Sequence, residues 1–175
     1  MSTHPVCAIV GMGPGNGAAL ARRFSREGRA LALLSRTTDF SRQLAGELGQ
    51  AEAYACDASQ PQQVTQTLAR VAQEQGSPET LIYNAGSGVW GNVEAVSTAD
   101  LEAAWRLNVL GAFAASRAVA PAMKDRGHGN IIFVGATASL RGGAGTAAFA
   151  QAKAAQRTLA ESMARHWWPA GIHVA

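Results

Sequence analysis

The chain has 175 residues, 47% hydrophobic and 15% charged. That length suits one domain with several strands and helices, and that balance excludes a disordered or highly solvated chain. The formal charge of +3 comes from 15 Lys and Arg scattered among 12 acids, with no basic stripe for nucleic acid and no run of 18 apolar residues for a membrane span.

Val6–Val10 reads as a short buried strand running into a glycine cluster, Gly11, Gly13, Gly15 and Gly17. Ala18, Leu20, Ala21 and Phe24 then fall at helical spacing, predicting a helix over residues 18–27 with Arg22, Arg23 and Arg26 outside. Ala30–Ser35 is a second buried strand, residues 40–48 a short helix, and residues 51–56 a third apolar segment closed by Asp57. Ser59, two residues before Pro61, is expected to cap a helix reaching Gln75, with Val64, Leu68 and Val71 on its buried face. A fourth strand over residues 80–84 leads into a turn at Ala85, Gly86 and Gly88.

Ser97 and Asp100 resemble a capping box opening a long helical region through Leu101, Trp105, Leu107, Phe113 and Val119. Residues 130–135 form a fifth strand, residues 137–146 a small-residue loop and Ala147–Trp167 the last helix; a sixth strand begins at Gly171. Strands alternating with helices predict an α/β fold, a doubly wound parallel sheet in three α/β/α layers, as a single domain over residues 1–175. Because Ile172, His173 and Val174 start a buried strand at the very end, further C-terminal strands are expected to be missing. Cys7 and Cys56 lie in apolar runs and read as buried thiols in a reducing compartment. Residues 1–5 carry no charged start followed by an apolar stretch, so the expected location is cytoplasmic. His128, His166 and His173 lack partners at metal-ligand spacing, and no metal site is expected.

In an open parallel sheet a ligand sits beyond the carboxyl ends of the strands where strand order reverses, beside the first strand-to-helix turn. Two glycine registers fit that turn: Gly13, Gly15 and Ala18 as Gly-x-Gly-x-x-Ala, or Gly11, Gly15 and Gly17 as Gly-x-x-x-Gly-x-Gly. The second is preferred because it starts directly after Val10, so that Gly11 turns, Gly15 admits a pyrophosphate and Gly17 opens the helix. At the end of the second strand a carboxylate would select NAD and a cation NADP; Ser35 followed by Arg36 favours NADP(H) over NAD(H).

Together these features resemble the short-chain dehydrogenase/reductase family, with its Rossmann-type fold, over nearly the whole chain. Gly11, Gly15 and Gly17, then Asp57 after the third strand, then Asn84-Ala85-Gly86 carry the likeness. The resemblance implies a cofactor-binding set of Gly11, Gly15, Gly17, Ser35, Arg36, Asp57, Asn84, Ala85, Gly86 and Lys153, with Asp57 on the adenine. It implies that Asn108 keeps a water in a proton relay. It also makes Lys153 the lysine of Tyr-x-x-x-Lys, which bonds the nicotinamide ribose and lowers the tyrosine pKa. It further implies a small-molecule substrate and a homodimer or homotetramer built on residues 112–124 and 148–165.

Two positions depart from the pattern. Reducing a carbonyl by hydride requires a proton for the developing alkoxide, yet Phe149 stands where the family has tyrosine and Ala136 where it has serine. Thr137 and Ser139 are nearby hydroxyls that could substitute. Tyr54 and Tyr83 belong to strands, and Thr146 occupies the upstream tyrosine position of divergent enoyl reductases. The expectation is an NADP(H)-dependent oxidoreductase of a carbonyl or alcohol with an atypical site. The alternative is a catalytically impaired NADP(H)-binding protein with a regulatory or structural role.

Overall fold

β1 (Val6–Val10) and β2 (Ala30–Ser35) are buried at every position, as strands covered on both faces must be. The computed structural model describes residues 4–175, so of the N-terminal segment 1–5, residues 1–3 lie outside it. With β3 (Ala51–Ala55), β4 (Thr80–Tyr83), β5 (Gly129–Phe133) and β6 (Ile172–Val174) they form one parallel sheet, ordered β3-β2-β1-β4-β5-β6. The chain winds outward from β1 to β3, then returns to the other side of β1 and winds to β6. The connections that follow β1 and β4 therefore run in opposite directions, and in such a sheet a crevice forms at this switch point.

Alternation along the strands divides the core in two. Cys7, Ile9, Leu31, Leu33 and Ile82 face α1 (Asn16–Arg26) and α2 (Asp39–Leu48). Ala8, Val10, Ala32, Leu34 and Leu81 face α3 (Pro61–Glu74), α5 (Gly111–Arg126) and α6 (Ala147–Trp167). Val64, Leu68 and Val71 do form the buried face of α3. The third strand departs from a buried reading: it lies at the sheet edge and fully buries Tyr54 alone among its residues. β3 also stops before Cys56, β4 before Asn84, and β5 occupies Gly129–Phe133 rather than residues 130–135.

Two cap readings divide. Ser97 and Asp100 form the full capping box of α4 (Thr98–Trp105), with Asp100 N–H donating to Ser97 Oγ at 3.1 Å and Ser97 N–H to Asp100 Oδ2 at 3.0 Å. Ser59 does not cap α3. Its N–H and Oγ both donate to Asp57 Oδ1, at 2.9 and 2.8 Å, and Gln60 takes the cap position without a side-chain bond. An aspartate two residues upstream organises this turn by itself.

The long helical region is interrupted by a π turn, Arg106–Leu110, between α4 and α5. Leu101, Trp105 and Phe113 along it are 39%, 41% and 40% exposed, whereas Ala104, Asn108, Ala112, Ala115 and Ser116 are buried. The reason is close approach: a Cβ on Gly111 would lie 2.0 Å from the Ala58 carbonyl oxygen, so small side chains must face inward here. Tyr83 locks this contact, its OH donating to the Leu107 carbonyl at 2.5 Å and more weakly to Ala58 O at 3.5 Å. Tyr83→Phe removes the bond to the Leu107 carbonyl, and urea denaturation should register a loss of about 1–2 kcal/mol. A change near zero would mean that water replaces the phenol.

Candidate functional site

The crevice is built on the turn after β1. Gly11 has φ +94°, and a Cβ there would sit 2.4 Å from Ala85 N, so a side chain is excluded by conformation and by space. The N–H groups of Gly11 and Met12 both donate to Leu34 O at 3.0 Å, while those of Asn84 and Ala85 donate to Val10 O at 2.9 Å. Asn84 Nδ2 reaches the Gly11 carbonyl at 2.7 Å. The turn after β4 is thus laid directly against the turn after β1. In contrast, a Cβ on Gly13 or Gly15 would meet nothing within 4 Å. Open space therefore lies before the first turn of α1, where a helix leaves amide donors without carbonyl partners and favours an anion.

A cleft of about 570 Å³ extends from this turn. Of the expected cofactor residues, Gly11, Ser35, Arg36, Asp57, Asn84, Ala85 and Gly86 line it; Gly15, Gly17 and Lys153 do not. Met12, Ser59, Ser87 and Leu107 line it as well, without having been anticipated. Ser35 is 8% exposed, with its Oγ bonded at 2.8 Å to both Thr37 O and Ser41 Oγ, so its hydroxyl serves the loop. Arg36 is exposed and, among the described residues, enters no ion pair. Asp57 keeps Oδ1 on Ser59.

Behind Gly86 lies a second, drier cluster. A Cβ on Gly86 would be 2.9 Å from Lys153 Nζ and 3.0 Å from Asn108 Oδ1, so this glycine is the thin wall between cleft and cluster. Lys153 is 5% exposed, and Nζ donates at 2.9 Å to Val134 O and to Gln156 Oε1. Burial pulls its ammonium from the ordinary 10.5 down to about 8. Asn108 is completely buried in the π turn; its Nδ2 donates to Ser87 O at 2.7 Å and Ala104 O at 2.8 Å. Asn108 Oδ1 is, among the described residues, a buried acceptor without a partner. Such an atom is costly unless a ligand or water donates to it.

Phe149, in the first turn of α6, is half-buried, its ring centred 6.0 Å from Lys153 Nζ and 5.6 Å from the Trp90 ring. Ala136 precedes a 3₁₀ turn, Thr137–Ser139, in which Thr137 is exposed; neither Thr137 nor Ser139 lines the cleft. Gln156, 1% exposed, escaped the sequence reading. Its signal is a polar residue three positions after Lys153 on an alanine-rich helix, which spacing places on the same face. Among the described residues no group of acids, histidines and cysteines could hold a metal, and no helix is long and apolar enough to cross a membrane.

The family described as short chain dehydrogenase matches residues 5–175. The chain is 31% identical over 175 residues to 2-(S)-hydroxypropyl-CoM dehydrogenase 3 of Xanthobacter autotrophicus, covering 98% of this chain and 69% of that protein. A solved short-chain dehydrogenase from Streptomyces avermitilis matches with a TM-score of 0.94 at 27% identity, over 98% of this chain and 64% of that one. NAD+-bound xylitol dehydrogenase matches with a TM-score of 0.92 at 30% identity, over 97% of this chain and 67% of that one.

Proposed function

The chain belongs to the short chain dehydrogenase family, and we propose that residues 1–175 form a single dinucleotide-binding domain that takes NADP(H) and exchanges a hydride with a small carbonyl or alcohol. The observation that carries this reading is the pairing of the two turns: Asn84 and Ala85 packed on Gly11, beside the open faces of Gly13 and Gly15. Diphosphate oxygens have room there against the first turn of α1. Gly11, Gly15 and Gly17 would shape that turn, Asp57 would meet the adenine, and Asn84-Ala85-Gly86 would lead along the cleft towards Lys153. The orphaned Asn108 Oδ1 behind Gly86 adds a second fit, a buried acceptor in need of a donor.

Bound in this cleft, the cofactor supplies the hydride. The chain's own residues must bind, orient and handle the proton. An ammonium has three N–H donors; Lys153 places two on Val134 O and Gln156 Oε1, leaving one for a hydroxyl on the Gly86 side. Phe149 in the tyrosine place and Ala136 in the serine place hold no exchangeable proton, so Lys153 or water supplies it. With its protonation poised near pH 8, Lys153 can hold or release a proton close to neutrality.

Isothermal calorimetry of the intact protein with NADPH and NADH tests the reading, followed by turnover of a panel of ketones, aldehydes and enones at the nicotinamide absorbance. Heat with NADPH is expected; no heat with either nucleotide overturns the proposal. Binding without turnover of any acceptor would make the chain a nucleotide-binding protein with a regulatory or structural role.

Preference for NADP(H) rests on Arg36, exposed at the cleft and without an ion pair among the described residues, and on serine rather than a carboxylate at position 35. Arg36→Glu should weaken NADPH binding by about tenfold or more and leave NADH within about twofold, because one lost phosphate contact is worth about 1.4 kcal/mol. Equal losses for both nucleotides would remove Arg36 from the 2′-phosphate. Cys7 and Cys56 are free and buried, and burial pushes the Cys7 thiol up to about 12, leaving an inert thiol that suits a reducing cytoplasm. Exposed Trp105 and Phe113 on α4 and α5 support a homodimer or homotetramer through this face, for which light scattering gives the mass.

A further inference from the structure

Gln156 lies one helical turn beyond Lys153 and uses both ends of its amide. Oε1 accepts from Lys153 Nζ at 2.9 Å, and Nε2 donates to the Asn108 carbonyl at 2.9 Å. That carbonyl belongs to the π turn, where backbone pairing is stretched by one residue. The Asn108 side chain does not make this link: its Nδ2 donates to Ser87 O and Ala104 O, and its Oδ1 has no partner among the described residues. The amide therefore ties the lysine on α6 to the π turn between α4 and α5 across a region where water has little access.

We propose that Gln156 is a positioning residue, whose amide bridges Lys153 Nζ to the Asn108 carbonyl and so aims the remaining N–H of the lysine at Gly86 and the cleft. This deepens the reading given under Proposed function, on which its nucleotide-binding arm rests. The choice of an amide has a chemical reason. A carboxylate at this position would hold the lysine as a fixed ammonium, whereas a hydrocarbon would leave Nζ with Val134 O alone. A neutral acceptor serves the amine in both protonation states and adds no charge. The surroundings agree. Nζ is faced by Val134 beyond β5, by Phe149 and Gln156 on its own helix, and by Gly86 after β4, with Asn108 of the π turn beside it. None of these groups is ionisable, and burial accounts for the displaced protonation of Lys153.

The sequence contains two lysines, Lys124 and Lys153, so protein labelled with ¹³C-lysine gives two Cε resonances whose pH titrations can be followed separately. Exposed Lys124 is the internal standard. Gln156→Glu should move the Lys153 midpoint upward by about one to three pH units, Gln156→Met should move it downward, and Lys124 should stay in place in both. An unmoved Lys153 midpoint in a variant whose near-ultraviolet circular dichroism shows it folded would overturn the bridge, and either variant alone is enough to do so.

The second arm measures nucleotide affinity. Gln156→Met should weaken NADPH binding about threefold to tenfold while leaving 2′,5′-ADP, which lacks the nicotinamide ribose, within about twofold. Equal losses for both ligands would overturn the aim towards the cleft. Failure of the unsubstituted chain to bind NADPH would remove the dinucleotide reading itself, while the lysine midpoints would still decide whether Gln156 holds Lys153.

Discussion

Phe149→Tyr combined with Ala136→Ser should raise NADPH-dependent carbonyl reduction about 10²- to 10⁴-fold over the unsubstituted chain, the usual worth of a positioned proton donor. The Phe149 ring already stands 6.0 Å from Lys153 Nζ, is half-buried and packs beside Trp90, so a tyrosine needs no new rotamer to occupy the same volume. Its hydroxyl would belong to a ring centred 6.0 Å from an amine that is cationic below about pH 8, and that charge favours the phenolate formed after proton transfer. Serine at 136 would orient the carbonyl oxygen. Phe149→Tyr alone should give most of the gain and Ala136→Ser alone little, since orientation without a proton source does not complete the reaction. The comparison is made on kcat at saturating NADPH, with its affinity held within about twofold as the control. Unchanged affinity and no gain in kcat would mean that the site lacks more than two hydroxyls, and the reading of Phe149 as the tyrosine position would fall.

How much of this site was legible depended on where each residue stands relative to a strand end. Gly11 and Asn84-Ala85-Gly86 follow β1 and β4 directly, Asp57 follows β3 after Cys56, and parallel pairing carries those three strand ends to the same side of the sheet. Reading apolar runs was therefore enough to bring them together. Ala147–Trp167 was legible for a related reason, a 21-residue alanine-rich helix bounded by a small-residue loop and a proline. The π turn was not legible. Nothing in Arg106–Leu110 marks an extra residue per turn, and on either side of it Trp105 and Phe113 are exposed while small residues are buried. Gln156 was hidden because its partner carbonyl, Asn108, is 48 residues away in sequence and is brought near by packing of α6 on the π turn. The Ser35 hydroxyl illustrates a third limit. Position put Ser35 at the cleft, which it lines, but not the partners of its hydroxyl, which are Ser41 and the Thr37 carbonyl within the loop.

Replacing Lys153 by methionine should stabilise the fold at pH 7, and the advantage should disappear as pH rises. The sign follows from proton uptake. In the folded chain the amine loses its proton at about 8, in the unfolded chain at the ordinary 10.5. Between those values the unfolded chain binds more protons, so stability due to this group climbs with pH; it is complete above 10.5 and is lost as pH falls through 8. Below 8 both states are charged, and the folded one holds its ammonium in a site that is 5% exposed. The displacement corresponds to on the order of 3 kcal/mol at neutral pH. Methionine fills similar space without charge but leaves Val134 O and Gln156 Oε1 without a donor, which offsets about 1–2 kcal/mol. A net gain of about 1–2 kcal/mol is therefore expected at pH 7 by urea denaturation, falling to zero or below by about pH 10.5. Cys7 and Tyr54, both pushed up to about 12 by burial, destabilise the fold as pH rises beyond their ordinary values. They do so equally in both proteins, so the difference between the two isolates Lys153. A variant less stable than the parent at pH 7, or a difference that does not vary with pH, would show that the amine is comfortably accommodated. A gain would show that the fold bears a destabilising ammonium, and that its place beside Gly86 is explained by chemistry at the cleft rather than by stability.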